Sequence, residues 1–126
     1  MSRTYLLPFL PAVGWMALIF VLSSLPSPDV SSVDWVDYLT KKTAHVVVYA
    51  VLAASLYLPL RGTRWASVAA PLAFVLTVAF AASDEFHQAF TGRTSLATDV
   101  LIDAMGAVAG LVLAYAIAIR FRPARG

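Results

Sequence analysis

The sequence predicts an all-α polytopic membrane protein with four transmembrane helices and both termini in the cytoplasm. Three observations carry that expectation. Apolar residues make up 60% of the 126 positions and charged residues only 13%, with a mean hydropathy of +0.80, whereas a water-soluble domain carries about 25% charged residues. Four stretches approach the roughly 20 apolar residues that cross a hydrocarbon core. Basic and acidic residues separate onto opposite sides of those stretches.

The expected spans run over about 5–25, 43–60, 65–83 and 101–119, in one domain covering 1–126, with outer loops 26–42 and 84–98. The first follows Met1-Ser2-Arg3, yet its apolar stretch exceeds the roughly 7–15 residues of a secretory signal core, so it reads as a retained helix. Pro8 and Pro11 fall in its first turns, where a missing amide hydrogen costs least. Pro59 closes the second span, and Pro71 is expected to bend the third. In the first outer loop, Ser31 and Asp34 suggest a helix N-cap and first-turn acid. Trp35, Val36, Tyr38 and Leu39 then predict a short helix at headgroup level.

An even number of spans puts both termini on one side. Arg3, Arg61, Arg64, Arg120, Arg122 and Arg125 fall there without a single acid. Asp29, Asp34, Asp37, Asp84, Glu85, Asp99 and Asp103 fall on the other side with Lys41, Lys42 and Arg93. Basic loops face the cytoplasm, which predicts a multi-pass protein with cytoplasmic termini and its carboxylates facing outward, to the periplasm or cell exterior if the membrane is a bacterial inner (cytoplasmic) one. The terminal arginines read as topology signals that touch lipid heads, with no nucleic-acid partner. Absence of cysteine excludes a disulfide framework, a thiol nucleophile and a thiolate metal site.

Ionisable groups in or beside membrane helices are costly and therefore mark function by default. Helical spacing gathers them. Lys42, His45 and Tyr49 stand at i, i+3 and i+7, on one face of the second helix. Thr77, Ala81, Asp84 and Gln88 share a stripe on the third. On the fourth, Asp99, Asp103, Gly106, Gly110, Ala114 and Ala118 form a stripe whose Gly-xxx-Gly pair signals close helix contact. The three stripes predict an outward pocket built by helices two, three and four, with Lys42, His45 and Arg93 as counter-ions. Tyr49, on the polar stripe, is expected to satisfy a carboxylate or face a ligand. Trp15, Trp65, Tyr5 and Tyr115 read as interfacial anchors.

Four chemistries are weighed against this set, with a purely structural role beside them. Lys42, His45, Tyr49, Asp84, Glu85, Gln88, Arg93, Asp99 and Asp103 would bind the polar head of an amphiphile, with the cations on phosphate and the carboxylates on sugar or amine donors. As an enzyme, the chain would use His45, Asp84, Glu85 and His87 for acid/base or nucleophilic work on a lipid-linked phosphate or sugar, although no Ser elbow or phosphate loop specifies a reaction. Metal ligation receives no support from spacing, since Glu85-x-His87 does not match a zincin motif, and the reading carries no metal and no cofactor. Ion transport is disfavoured because only Ser55, Tyr57 and Ser67 interrupt the inner halves of the second and third helices. A wholly paired network would instead be structural. Membrane lipid is the expected surrounding partner, and oligomer formation stays open.

These blocks also carry a resemblance. Trp15 to Ser24 with a following proline, Lys42-x-x-His45-x-x-x-Tyr49, Ser83-Asp84-Glu85-Phe86-His87-Gln88-x-Phe90-x-Gly92-Arg93 and Asp99-x-x-x-Asp103-x-x-Gly106-x-x-x-Gly110 together resemble the VanZ-like family of small bacterial membrane proteins. The family often carries Asn where this chain has Asp103, so the chain adds a carboxylate. The resemblance implies an outer-leaflet address and a cell-envelope context, with some members associated with reduced susceptibility to teicoplanin-type lipoglycopeptides. It implies no particular reaction.

Overall fold

The computed structural model describes residues 6–25, 32–90 and 97–121, and among them every regular element is helical. A single 3-10 turn, Leu7–Phe9, leads into α1 (Leu10–Ser23). Helix α2 covers Asp34–Leu60, a second 3-10 turn at Ala66–Val68 leads into α3 (Ala69–Ala89), and α4 covers Ala97–Arg120. Three stretches, Asp34–Leu60, Ala66–Ala89 and Thr98–Arg120, are long and apolar enough to cross a membrane, while Leu7–Ser23 is apolar but shorter.

Helices α2, α3 and α4 extend at one end beyond the apolar runs that announce them, whereas the first expected span, 5–25, is helical over Leu7–Ser23 and falls short of a full crossing length. Helix α2 starts at Asp34, so the short headgroup-level helix expected from Trp35 to Leu39 is instead the opening of α2. Asp34 and Asp37 sit in its first turn, where the helix dipole favours acids. Asp37 then pairs with Lys41 one turn on, at 2.7 Å. Val33, extended at φ −92° and ψ 111°, occupies the cap position and offers no side-chain oxygen. Ser31 lies outside the described residues.

Pro59 stands inside the last turn of α2, and Arg61 beyond it lays its guanidinium 5.7 Å from the Tyr57 ring. Pro71 falls in the first turn of α3, where its missing amide would have no intrahelical partner, so the reason for the expected bend is removed. At its other end α3 runs through the Asp84-Glu85-Phe86-His87-Gln88 block, which is therefore helix and not loop.

Helix α2 is the centre of the bundle, sharing its longest interface with α4 and smaller ones with α3 and α1. Small residues make the close contacts: Ala12, Ala53, Ala69, Ala73, Ala81, Ala107 and Ala114 are buried. A Cβ added to Gly106 would lie 2.5 Å from the Val46 carbonyl oxygen, and one on Gly110 would lie closer still to that of Ala50. The Gly-xxx-Gly stripe of α4 thus presses directly on the backbone of α2 one turn apart. The outside is the reverse of a water-soluble surface. Phe86 is 69% exposed, Phe90 76% and Met105 68%, a belt suited to acyl chains and costly in water.

Gly110→Leu removes the clearance for α2. Its side chain has backbone on the far side and nothing flexible to displace, so α4 must move away. The expected loss is about 1–3 kcal/mol of helix-bundle stability, typical of an overpacked contact. Thermal or denaturant unfolding in detergent measures it, with Gly14→Leu as the reference, since nothing lies within 4 Å of a Cβ there.

Candidate functional site

The polar face of α2 meets its partners as a ladder. Lys42 Nζ donates to Asp99 Oδ1 at the start of α4 and lies 5.3 Å from the ring of Tyr38 one turn back. One turn further, His45 Nδ1 is 3.0 Å from Asp103 Oδ1. Next, the Tyr49 hydroxyl donates to Asp84 Oδ2 on α3 at 3.0 Å. The i, i+3, i+7 spacing and the Asp99-x-x-x-Asp103 spacing match because both helices advance about 1.5 Å per residue. The Gly106 and Gly110 contact lets them approach closely enough to use the match.

Asp84 is a junction. Its Oδ2 also accepts from Gln88 Nε2 at 3.2 Å, and the same Gln88 nitrogen donates to Ser23 Oγ on α1 at 3.3 Å. Asp84, Glu85, Gln88, Asp99 and Asp103 are all buried, with Asp103 only 1% exposed. Among the described residues, Asp84 Oδ1 and Asp103 Oδ2 are buried without a hydrogen bond. One donor atom each from His45, Glu85 and Asp103 lie within 4.8 Å of one another.

A cavity of about 430 Å³ opens beside this ladder. Its apolar walls come from Trp15, Leu18, Ile19 and Leu22 of α1 with Ala44 and Val48 of α2, and its polar lining from Lys41, His45, Tyr49, Asp84, Gln88 and Ser23. The cavity therefore lies among α1, α2 and α3, where the sequence pointed to helices two, three and four. Helix α4 supports the polar groups from behind and lines none of it. The shift follows from the ladder itself, since the glycine contacts hold α4 too close to α2 for a cavity of that size to open between them.

The sequence-derived site residues separate into groups. His45, Tyr49, Asp84 and Gln88 line the cavity. Asp99 and Lys42 engage one another at the open end of the ladder, and Lys41 takes the cavity-lining role expected of Lys42. Asp103 and Glu85 gather at His45 behind the wall. His87 contacts α1 instead: Nε2 is 2.9 Å from Ser24 Oγ, and its ring stacks on Phe20 at a centroid distance of 4.2 Å. Arg93 lies outside the described residues. Trp15, read from sequence as an interfacial anchor, is half-buried, lines the cavity and donates Nε1–H to the Val48 carbonyl at 2.9 Å.

Sequence reasoning missed Ser23 and Ser24, which tie α1 to α3 through Gln88 and His87. Two adjacent hydroxyls ending an apolar helix were the available signal.

A family model described as VanZ/LLP1 matches residues 9–119, nearly all of the described bundle and the whole of the ladder. The chain belongs to the VanZ/LLP1 family. It is accordingly a membrane protein of that family, with the resemblance read from the Lys-His-Tyr, Asp-Glu-Gln-Arg and Asp-Gly-Gly blocks borne out. No curated protein and no solved structure matches this VanZ/LLP1 chain.

The tie from Tyr49 to Asp84 is buried, while that from Ser24 to His87 is exposed. Tyr49→Phe should cost about 1–2 kcal/mol, at the upper end for hydrogen bonds between membrane helices. Ser24→Ala should cost less than about 0.5 kcal/mol, as exposed substitutions usually do. Unfolding of the two variants in the same detergent gives the comparison.

Proposed function

We propose that this VanZ/LLP1 protein binds an amphiphilic cell-envelope molecule, placing an acyl or isoprenoid chain against the apolar wall and its polar head on the Asp84 side. The observation carrying the reading is the two-sided lining of the cavity: Trp15, Leu18, Ile19 and Leu22 along one wall, His45, Tyr49, Asp84 and Gln88 along the other. Ligand pockets combine a largely apolar lining with a few convergent polar groups in this way. Asp84 accepts from sugar hydroxyls or amines, its Oδ1 taking no hydrogen bond from the described residues. Lys41 supplies a cation for a phosphate. Lipid-linked envelope precursors and lipoglycopeptide-like molecules share this chemistry.

The orientation belongs to the same proposal. The protein is a multi-pass resident of the bacterial cytoplasmic membrane with both termini inside and the ladder's Lys42–Asp99 end facing out. Support comes from Arg61 and Arg64 in the α2–α3 turn against the acidic residues at the opposite ends of α2, α3 and α4. The native chain contains no cysteine, so single introduced cysteines report cleanly. Ser27→Cys should react with a membrane-impermeant maleimide on intact cells, and Thr63→Cys only after permeabilisation. The reverse pattern overturns the orientation.

Ligand binding is tested with a polyisoprenyl phosphate bearing a photoreactive group, using purified full-length protein in lipid nanodiscs. Ala44→Trp fills the cavity from an exposed position of α2 without touching the ladder. It should cut crosslinking by roughly tenfold or more, the equivalent of about 1.4 kcal/mol, while Asp84→Asn weakens competition by sugar-bearing lipids. Equal crosslinking of wild type and Ala44→Trp overturns the proposal.

A further inference from the structure

We propose that His45, Glu85 and Asp103 form a binding site for one divalent transition-metal ion of the Zn²⁺ class, held between α2, α3 and α4. This goes beyond the amphiphile reading and does not depend on it.

Geometry is the first support. The three donor atoms come from three different helices and lie within 4.8 Å of one another. Bonds of about 2.0–2.2 Å from Zn²⁺ to imidazole nitrogen or carboxylate oxygen put tetrahedral donors roughly 3.5 Å apart. His45 Nδ1 and Asp103 Oδ1, in direct contact at 3.0 Å, need to part by only about half an ångström to reach that spacing. Closing the set needs a movement of about 1 Å, within the torsional reach of a glutamate side chain.

Chemistry is the second. One imidazole and two carboxylates suit a borderline transition metal better than Mg²⁺, which prefers oxygen donors and retained water. A neutral His45 with two ionised carboxylates carries two negative charges, which a divalent cation cancels.

Orphaned polarity is the third, independent support. Asp103 is 1% exposed, and while its Oδ1 meets His45, its buried Oδ2 takes no hydrogen bond from the described residues. A buried carboxylate oxygen without a donor costs free energy, and buried charges are generally paired or bound to metal. Lys42, the nearest lysine on the ladder, is engaged by Asp99.

The test uses the full-length protein in detergent, stripped with a chelator and dialysed against Zn²⁺, with bound metal counted by elemental analysis. Wild type should hold about one equivalent and unfold at a higher temperature with Zn²⁺ than without, since a ligand that binds only the folded state stabilises it. Mg²⁺ should give neither effect. Glu85→Gln and His45→Gln should each lower Zn²⁺ affinity by at least roughly tenfold, the scale of losses at metal-site positions, whereas His87→Gln should bind as wild type does. Wild type holding less than about a tenth of an equivalent under these stoichiometric conditions overturns the site. So does undiminished binding by both Glu85→Gln and His45→Gln. Co²⁺ added to wild type keeps the question open to measurement if those variants do not fold: intense visible ligand-field bands support the site, and the weak spectrum of the hydrated ion overturns it.

Discussion

The close approach of α4 to α2 is the constraint on which the rest depends. Two glycines, four residues apart, let one helix rest on the backbone of the other at Val46 and Ala50. In a bilayer no hydrophobic force distinguishes a neighbouring helix from lipid tails, so packing and hydrogen bonding must hold helices together. The same stripe supplies both. Its apolar half gives van der Waals contact through Gly106, Gly110 and Ala114, and its polar half gives Asp99 and Asp103 to the basic residues of α2. Because the two halves are continuous, a shift of α4 that opened the glycine contact would also pull the carboxylates off Lys42 and His45.

The polar groups gather on the side the lipids do not reach. Phe86 is directly adjacent to Glu85 in sequence yet 69% exposed, while Glu85 is buried. Helical rotation of about 100° per residue separates the two faces completely within one step. The sequence therefore already distinguished lipid-facing from interior residues along α3. It distinguished less well what the interior would meet, because a stripe has a direction but names no partner.

That difference explains what was legible. The Lys42, His45 and Tyr49 face, the Asp99 to Ala118 stripe and the Thr77 to Gln88 stripe all follow from helical period alone, and all pack inward. The ladder's pairings follow from matched spacing. The location of the cavity does not, because it depends on how α1 leans on α2 and α3, and α1 has an almost uniformly apolar sequence with little polar pattern to read. Trp15 consequently looked like an anchor and Ser23 drew no reading, although both line the cavity and Ser23 accepts from Gln88. Helix ends were blurred for a related reason: apolarity marks where lipid is, while Asp37 with Lys41 and the Asp84 to Gln88 block continue as helix beyond it.

The ladder also grades its donors. Moving along α2 from its N-terminal end, the group facing a carboxylate changes from an ammonium to an imidazole to a phenol, over about 10 Å at the helical rise. Side-chain exposure of the first pair is 23% and 11%, and Tyr49 at the far end is 1% exposed. A cation costs more to bury as water recedes, and a neutral hydroxyl costs least. The acceptors do not change in step: Asp99, Asp103 and Asp84 are carboxylates throughout. The inner two are accordingly held by hydrogen bonds from an imidazole, a phenol and an amide, Asp103 by His45 and Asp84 by Tyr49 and Gln88, where the outermost is held by a lysine. The order follows from the cost of burial: the lysine stands where water still reaches, and the phenol, which carries no charge to desolvate, stands where it does not.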